Sequence, residues 1–132
     1  MSDTTSQELF TIVVKHIRKQ GGPGYDRVTN TCRYRAPDGC GCAASPFIVF
    51  YRPVLETKRF WQIASRFPEA VDTRTAGHEA FVSELQTMHD NAAGAAYGDK
   101  KCFMRLWNNA VVEFAQRWKL HVPPAVAMGA LT

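Results

Sequence analysis

The sequence predicts one α+β domain that is mainly helical: about four helices, with a short β-hairpin and the option of a third strand between the first and second helices. Apolar residues recur at helical spacing in four segments, whereas the segment after the first helix alternates and contains a Pro-Asp-Gly turn signal. The length of 132 residues, with 45% hydrophobic and 21% charged residues, fits one globular unit over 1–132.

The first helix is predicted to begin near Thr5. Thr5 and Glu8 have the spacing of a capping box, in which each side chain bonds the backbone N–H of the other residue. The run Gly21-Gly22-Pro23-Gly24 ends this helix, because glycine allows a left-handed exit and proline cannot continue the hydrogen-bond ladder. Between these limits the apolar residues face the core: Leu9, Phe10, Val13, Val14 and Ile17.

A β-hairpin is predicted next, with strands from Thr31 to Arg35 and from Cys40 to Ala44. The turn is Ala36-Pro37-Asp38-Gly39, where proline presets one backbone angle and glycine accepts a positive φ. Alternation along the first strand separates Cys32 and Tyr34 from the neighbouring arginines.

The apolar run from Phe47 to Tyr51 follows the hairpin. It is bounded by Pro46 and Pro53, and its residues favour extended structure. It is either a third short strand or a buried loop.

A second helix is predicted from Glu56 to Phe67 and a third from about Ala76 to Asp90. His89-Asp90-Asn91 is interpreted as the capped end of the third helix, because a cation is favoured near a helix C-terminus. The small residues from Asn91 to Gly98 then predict a loop.

The fourth helix is predicted to start after Asp99, a good N-cap, and to continue to about Leu120. Its apolar residues lie at helical spacing and include two of the three tryptophans. Pro123-Pro124 closes the helix, and Ala125 to Leu131 forms a short helical tail or a frayed end.

The cysteines, together with the lack of a membrane-spanning segment and of a secretory signal, indicate the cellular compartment of the protein. No apolar run approaches the ~20 residues that span a bilayer, and the N-terminus lacks the pattern of a secretory signal. We therefore expect a cytoplasmic protein without a membrane partner, whose cysteines remain thiols and form no disulfide.

The cysteines could in principle bind zinc or act as nucleophiles. Cys32, Cys40 and Cys42 are close in sequence, but the close pair is Cys-x-Cys and no second pair follows, which disfavours a zinc site. A cysteine nucleophile needs a neighbouring base, and nothing in the spacing selects one of the four histidines: His16, His78, His89 and His121. We expect no cofactor, and a cysteine-dependent or zinc-binding enzyme stays an alternative.

Positive charge is concentrated in the first half of the chain. Residues 1–66 contain ten Lys and Arg against five Asp and Glu, whereas residues 67–132 contain six against seven. Arginine binds phosphate in a bidentate manner, and aromatic rings stack on bases. The predicted anion-binding residues come from the hairpin region: Arg33, Tyr34, Arg35, Arg27, Tyr25 and Arg52. The alternative to an anion site is an ordinary hairpin in which these residues alternate because one face is exposed to solvent.

Several short motifs resemble a family of small uncharacterised proteins of bacteriophages and prophages. They are Cys32-Arg33-Tyr34-Arg35, Gly39-x-x-Cys42-Ala43, Phe47-Ile48 and Leu85-Gln86-x-x-His89-Asp90-Asn91. The resemblance covers the chain from the first helix through the third. Cys40 stands where the family usually has a basic residue, and Ser45 where it has glycine. The resemblance implies a phage accessory protein that acts on host machinery, including antiviral defences, by binding.

The sequence therefore predicts a non-enzymatic accessory protein in the bacterial cytoplasm. Its target would be anionic: a nucleic acid, a nucleotide signal or an acidic surface of a host protein. A third possibility is a structural protein that oligomerises through aromatics such as Trp61 and Trp118. The sequence leaves the oligomeric state open.

Overall fold

The computed structural model describes residues 4–124 of the chain. Four helices and one hairpin form its regular framework, and they confirm the mainly helical α+β class. The hairpin lies between the first and second helices, as predicted. The elements are α1 (Ser6–Gln20), β1 (Tyr25–Asp26), β2 (Thr31–Cys32), α2 (Phe60–Arg66), α3 (Glu79–Ala95) and α4 (Lys100–Trp118).

Helix α1 begins and ends as its sequence predicts. The Thr5 hydroxyl accepts a hydrogen bond from the backbone N–H of Glu8 at 3.2 Å, and the Glu8 carboxylate accepts one from the N–H of Thr5 at 3.1 Å. Gly21 ends the helix at φ +70° and donates its N–H to the carbonyl of Ile17. All five predicted core residues of this helix are fully buried.

The hairpin forms earlier in the chain than predicted. Tyr25 pairs with Cys32, and Asp26 pairs with Thr31. The Asp26 carboxylate accepts the backbone N–H groups of Val28 and Thr29, which closes the turn, and such aspartate turns are a common local signal. The predicted strands, Thr31 to Arg35 and Cys40 to Ala44, are therefore wrong in position and extent.

The predicted Pro-Asp-Gly turn is nevertheless present. Gly39 has φ +89° and donates its N–H to the carbonyl of Ala36 at 2.9 Å. The two arms beyond this turn make single hydrogen bonds instead of a regular ladder, among them Cys42 N–H to Arg33 O at 3.0 Å. One reason is that Arg33 N–H bonds the carbonyl of Gly24, so the chain at Arg33 already has a partner on the other side.

The apolar run after the hairpin is a loop, one of its two predicted forms. Ser45–Phe47 is a 3₁₀ turn, and only Ile48 then forms an isolated bridge, with Val71. Phe47 is fully buried, whereas Val49 and Phe50 are each 60% exposed. Phe47 thus enters the core, Ile48 and Tyr51 pack half-buried against it, and Val49 and Phe50 lie at the surface.

Helix α2 is shorter than predicted and α3 is longer. A 3₁₀ turn, Pro53–Thr57, replaces the beginning of the predicted second helix. Helix α3 continues to Ala95 because alanine favours helix, and Ala92 and Ala93 pack into the core. The predicted loop is therefore wrong up to Ala95, and His89 lies within the helix instead of capping its end.

Helix α4 confirms the fourth predicted helix. The Asp99 carboxylate accepts the backbone N–H of Cys102 at 2.8 Å, and Lys119 ends the helix at φ +57°. Phe114 stacks on Phe10 of α1 with ring centroids 5.8 Å apart. The predicted tail from Ala125 lies outside the described residues.

Helix α3 is the centre of the fold. It packs against α1, α2, α4 and β2. Its buried side chains thereby join the hairpin region to all the other helices. Within residues 4–124, no helix is long and apolar enough to cross a bilayer.

Two glycines provide a matched test of this packing. A Cβ at Gly24 would lie 2.2 Å from the backbone carbon of Gly41, whereas a Cβ at Gly94 in α3 meets nothing within 4 Å. We expect Gly24→Ala to lower the free energy of unfolding by about 2 kcal/mol or more, because backbone must move. Gly94→Ala should raise it by about 0.5 kcal/mol or more, because helical glycine is entropically costly. Urea unfolding measures both, and equal stability of the two variants would contradict the close approach.

Candidate functional site: a polar cavity and a cationic cleft

Cys32, His89 and Asp90 come together where β2 packs on α3. One ligand-type atom from each of the three lies within 4.8 Å of the others, and His89 is fully buried. The Cys32 sulfur also lies 4.0 Å from the carbonyl oxygen of Asp90. These residues belong to motifs that are far apart in the sequence.

Both ring nitrogens of His89 are engaged within the protein. The backbone N–H of Gly24 donates to Nε2 at 3.0 Å, so Nε2 carries the lone pair. Nδ1 therefore carries the proton and donates it to the Asp90 carboxylate at 2.9 Å. In this tautomer His89 is neutral, and it has no free nitrogen to coordinate a metal or to abstract a proton.

The thiols beside His89 are poorly suited to nucleophilic attack. Burial, the negative charge of Asp90 and a hydrogen bond with Asp90 hold the pKa of the Cys32 thiol far above its usual value. Burial, with the charge of Asp90, does the same to the pKa of Cys42, which is 1% exposed. Because the thiolate is the reactive species, this arrangement disfavours cysteine catalysis.

The predicted zinc ligands form no common cluster in the described part of the chain. The metal-capable group found there is Cys32 with His89 and Asp90, without Cys40 or Cys42. Cys40 lies near Lys100 at the start of α4, and Cys42 receives a weak hydrogen bond from the Gln86 amide at 3.7 Å. All four cysteines are free thiols.

A polar cavity of about 390 Å³ adjoins this cluster; we call it the polar cavity. It lies between α2, α3 and the β2 region. Its lining is mostly polar and includes two aromatic residues, the buried Tyr34 and Trp61, which is 52% exposed. The lining residues are Cys32, Tyr34, Glu56, Thr57, Lys58, Arg59, Trp61, Gln62, Ser83, Gln86, Thr87 and Asp90.

The predicted anion-binding residues Arg33, Tyr34 and Arg35 make contacts with other residues of the protein. The Glu56 carboxylate accepts the backbone N–H groups of Tyr34 at 2.9 Å and Arg35 at 3.0 Å, and also the hydroxyl of Tyr51 at 2.8 Å. The Glu56 carboxylate thus occupies the backbone donors of Tyr34 and Arg35 and places a negative charge beside the predicted anion-binding residues. The Arg35 guanidinium lies 4.2 Å from the centre of the Tyr51 ring.

Two of the predicted arginines form ion pairs. Arg33 lies 3.6 Å from the carboxylate of Asp26, and Arg52 lies 2.8 Å from that of Glu69. Arg52 also stacks over Phe67, with its guanidinium carbon 4.9 Å from the ring centre. Each of these guanidinium groups therefore has a carboxylate partner inside the protein.

Tyr25 and Arg27 lie in a different place, beside the start of α4. They line a cleft of about 500 Å³ together with Lys100 and Lys101; we call it the cationic cleft. Tyr25 is largely buried and Arg27 is exposed. The other lining residues are Pro23, Asp38, Gly98 and Asp99.

The two acids of the cationic cleft already hold backbone groups. Asp38 accepts the N–H of Cys40 at 3.0 Å, and Asp99 caps α4. Arg27, Lys100 and Lys101 form no ion pair within residues 4–124. The cleft therefore presents three cations and two carboxylates, an excess of one positive charge, to an external anion.

Lys100 and Lys101 are not among the anion-binding residues predicted from the sequence. They follow a helix cap far from the hairpin, and only the fold brings them beside Arg27. A basic pair directly after an N-cap was the one available signal.

Comparisons with protein families, with curated proteins and with solved structures find no match to the chain.

Thiol reactivity tests the description of the cluster. In the folded protein, iodoacetamide at about pH 8 should modify Cys40 and Cys102 before Cys32 and Cys42, because the latter thiols are held protonated and shielded. Peptide mapping by mass spectrometry gives the order, and unfolded protein serves as the control in which all four react. Fastest modification at Cys32 would contradict the raised pKa and favour a cysteine-dependent enzyme.

Proposed function

We propose that the chain is a non-enzymatic binding protein whose target carries phosphate, as a nucleotide or a nucleic acid. The target binds at the cationic cleft. The observation that carries this proposal is the convergence of Arg27 with Lys100 and Lys101, three cations without an ion-pair partner in the described part of the chain. Cations of this kind bind phosphate through charge and through directed N–H groups.

The arrangement of His89 supports binding over catalysis. A general base needs a free lone pair within reach of a substrate, and both nitrogens of His89 are bonded inside the fold. A cysteine nucleophile is activated by a neighbouring base or by a lowered pKa, whereas His89 has no free nitrogen and the pKa values of Cys32 and Cys42 are raised.

The biological setting is proposed from the sequence motifs. The resemblance to bacteriophage and prophage proteins supports an accessory role in the cytoplasm of the bacterial host. A small protein that binds nucleotides there can sequester a signal used in host defence. One that binds nucleic acid can instead compete with host enzymes for it.

Salt-dependent binding tests the cleft. Fluorescently labelled single-stranded DNA, duplex DNA, RNA and cyclic nucleotides are titrated at about 50 and 200 mM salt. We expect salt-sensitive binding of at least one nucleic-acid probe or cyclic nucleotide. For a nucleic acid, the double variant Arg27→Ser, Lys101→Ser should reduce the slope of log K against log salt by about two, because each of the two side chains neutralises one phosphate.

A control variant separates the cleft from net charge. Lys15→Ser with Arg66→Ser removes the same charge from exposed positions that do not line the cleft. Equal weakening by both pairs would contradict a defined site. Binding of polyglutamate without binding of any nucleic acid or nucleotide would overturn the assignment to phosphate.

A further inference from the structure

We propose that the polar cavity is a second binding site, and that it takes the base of an uncharged nucleoside. This site is separate from the cationic cleft and has a different charge. It uses Trp61 for stacking and the groups between Ser83 and Asp90 for hydrogen bonding. The proposal does not depend on phosphate binding elsewhere.

The charges that line the polar cavity are balanced. Lys58 and Arg59 contribute two positive charges, and Glu56 and Asp90 contribute two negative charges. Glu56 is held by three donors, so it is fixed in the wall. A neutral ligand loses little hydration here, whereas the phosphate of a nucleotide would find no excess of positive charge, unlike in the cationic cleft.

Trp61 provides an aromatic face at the edge of the cavity. It belongs to α2, whose neighbours Phe60 and Ile63 are fully buried and anchor the helix to the core. Trp61 itself is 52% exposed, an unusual position for the largest apolar side chain. A planar base that stacks on its indole ring would cover this surface, and such stacking accepts any base.

Polar groups with hydrogen-bonding capacity to spare line the same cavity. The Ser83 hydroxyl oxygen is buried and makes no hydrogen bond within the described part of the chain, which is a rare and costly state. One oxygen of Asp90 is bonded to His89, so the other can accept a hydrogen bond. The Gln86 amide beside them donates an N–H weakly to Cys42, and its oxygen is an acceptor, so together with the Ser83 hydroxyl these groups offer both donors and acceptors.

This combination fits a base better than a sugar or a metal ion. The edge of a base presents donors and acceptors in one plane while its face stacks on an aromatic ring. A sugar lacks the flat π-face, and a metal would need a free nitrogen on His89, which has none. The cavity volume of about 390 Å³ is within the range of small-molecule sites.

Calorimetry and tryptophan fluorescence test the site with adenosine, guanosine, cytidine and uridine, each compared with its 5′-monophosphate and with ribose. With the cationic cleft removed by Arg27→Ser and Lys101→Ser, we expect one-to-one binding of at least one nucleoside, no tighter binding of its monophosphate, and no binding of ribose. Trp61→Leu should weaken the nucleoside about tenfold. Ser83→Ala should weaken it several-fold, because one hydrogen bond to the base is removed.

Two control variants and a stability measurement keep the outcome interpretable. Phe50→Leu, at an exposed aromatic outside the cavity, should leave binding unchanged. The cleft variant Arg27→Ser, Lys101→Ser should also leave nucleoside binding unchanged. Failure of the nucleoside proposal can therefore be distinguished from failure of the phosphate proposal. Urea unfolding shows whether Trp61→Leu remains folded. If no nucleoside binds, if ribose binds equally well, or if folded Trp61→Leu binds as tightly as the parent protein, the proposal is wrong.

Discussion

The imidazole of His89 joins the loop after α1 to the centre of α3. It accepts the N–H of Gly24 at one nitrogen and donates to Asp90 from the other. Its ring packs against Phe103 and Trp107 of α4, with centroids 5.3 and 6.2 Å away. A fully buried polar ring is stable only if both nitrogens find partners, so this one side chain determines how three segments meet.

The positions of the polar cavity and the cationic cleft follow from this link. Gly24 also accepts the N–H of Arg33 and lies against the backbone of Gly41, and Gln20 bonds Gly41 through both ends of its amide. The loops are thereby held against α3. On one side β2 forms a wall of the polar cavity, and on the other Tyr25 and Arg27 meet the start of α4. The cluster uses its polar groups internally and holds the walls of both neighbouring cavities in place.

Local signals in the sequence were sufficient to predict where α1 and α4 begin. Thr5 with Glu8 and Asp99 both cap as their spacing predicts, since a cap depends only on residues a few positions apart. The extension of α3 to Ala95 was not predicted because Asn91 and Gly94 favour a loop; the helix propensity of the alanines and the burial of Ala92 and Ala93 together outweigh them. The family-like motifs did mark the cluster, since Cys32, Gln86 and His89 all lie in or beside it. The motifs do not predict that His89 faces inward. Nothing local in the sequence predicts that Lys100 and Lys101 lie beside Arg27, because only the fold brings these segments together.

The tautomer of His89 is the most direct test of this arrangement. Two-bond ¹H–¹⁵N correlation spectra of ¹⁵N-labelled protein distinguish the two neutral tautomers and the imidazolium. We expect the neutral form with the proton on Nδ1, together with a Gly24 amide proton that exchanges slowly with solvent. A proton on Nε2, or a charged ring in the folded protein near neutral pH, would contradict the central role of His89, because the Gly24 bond could not then exist.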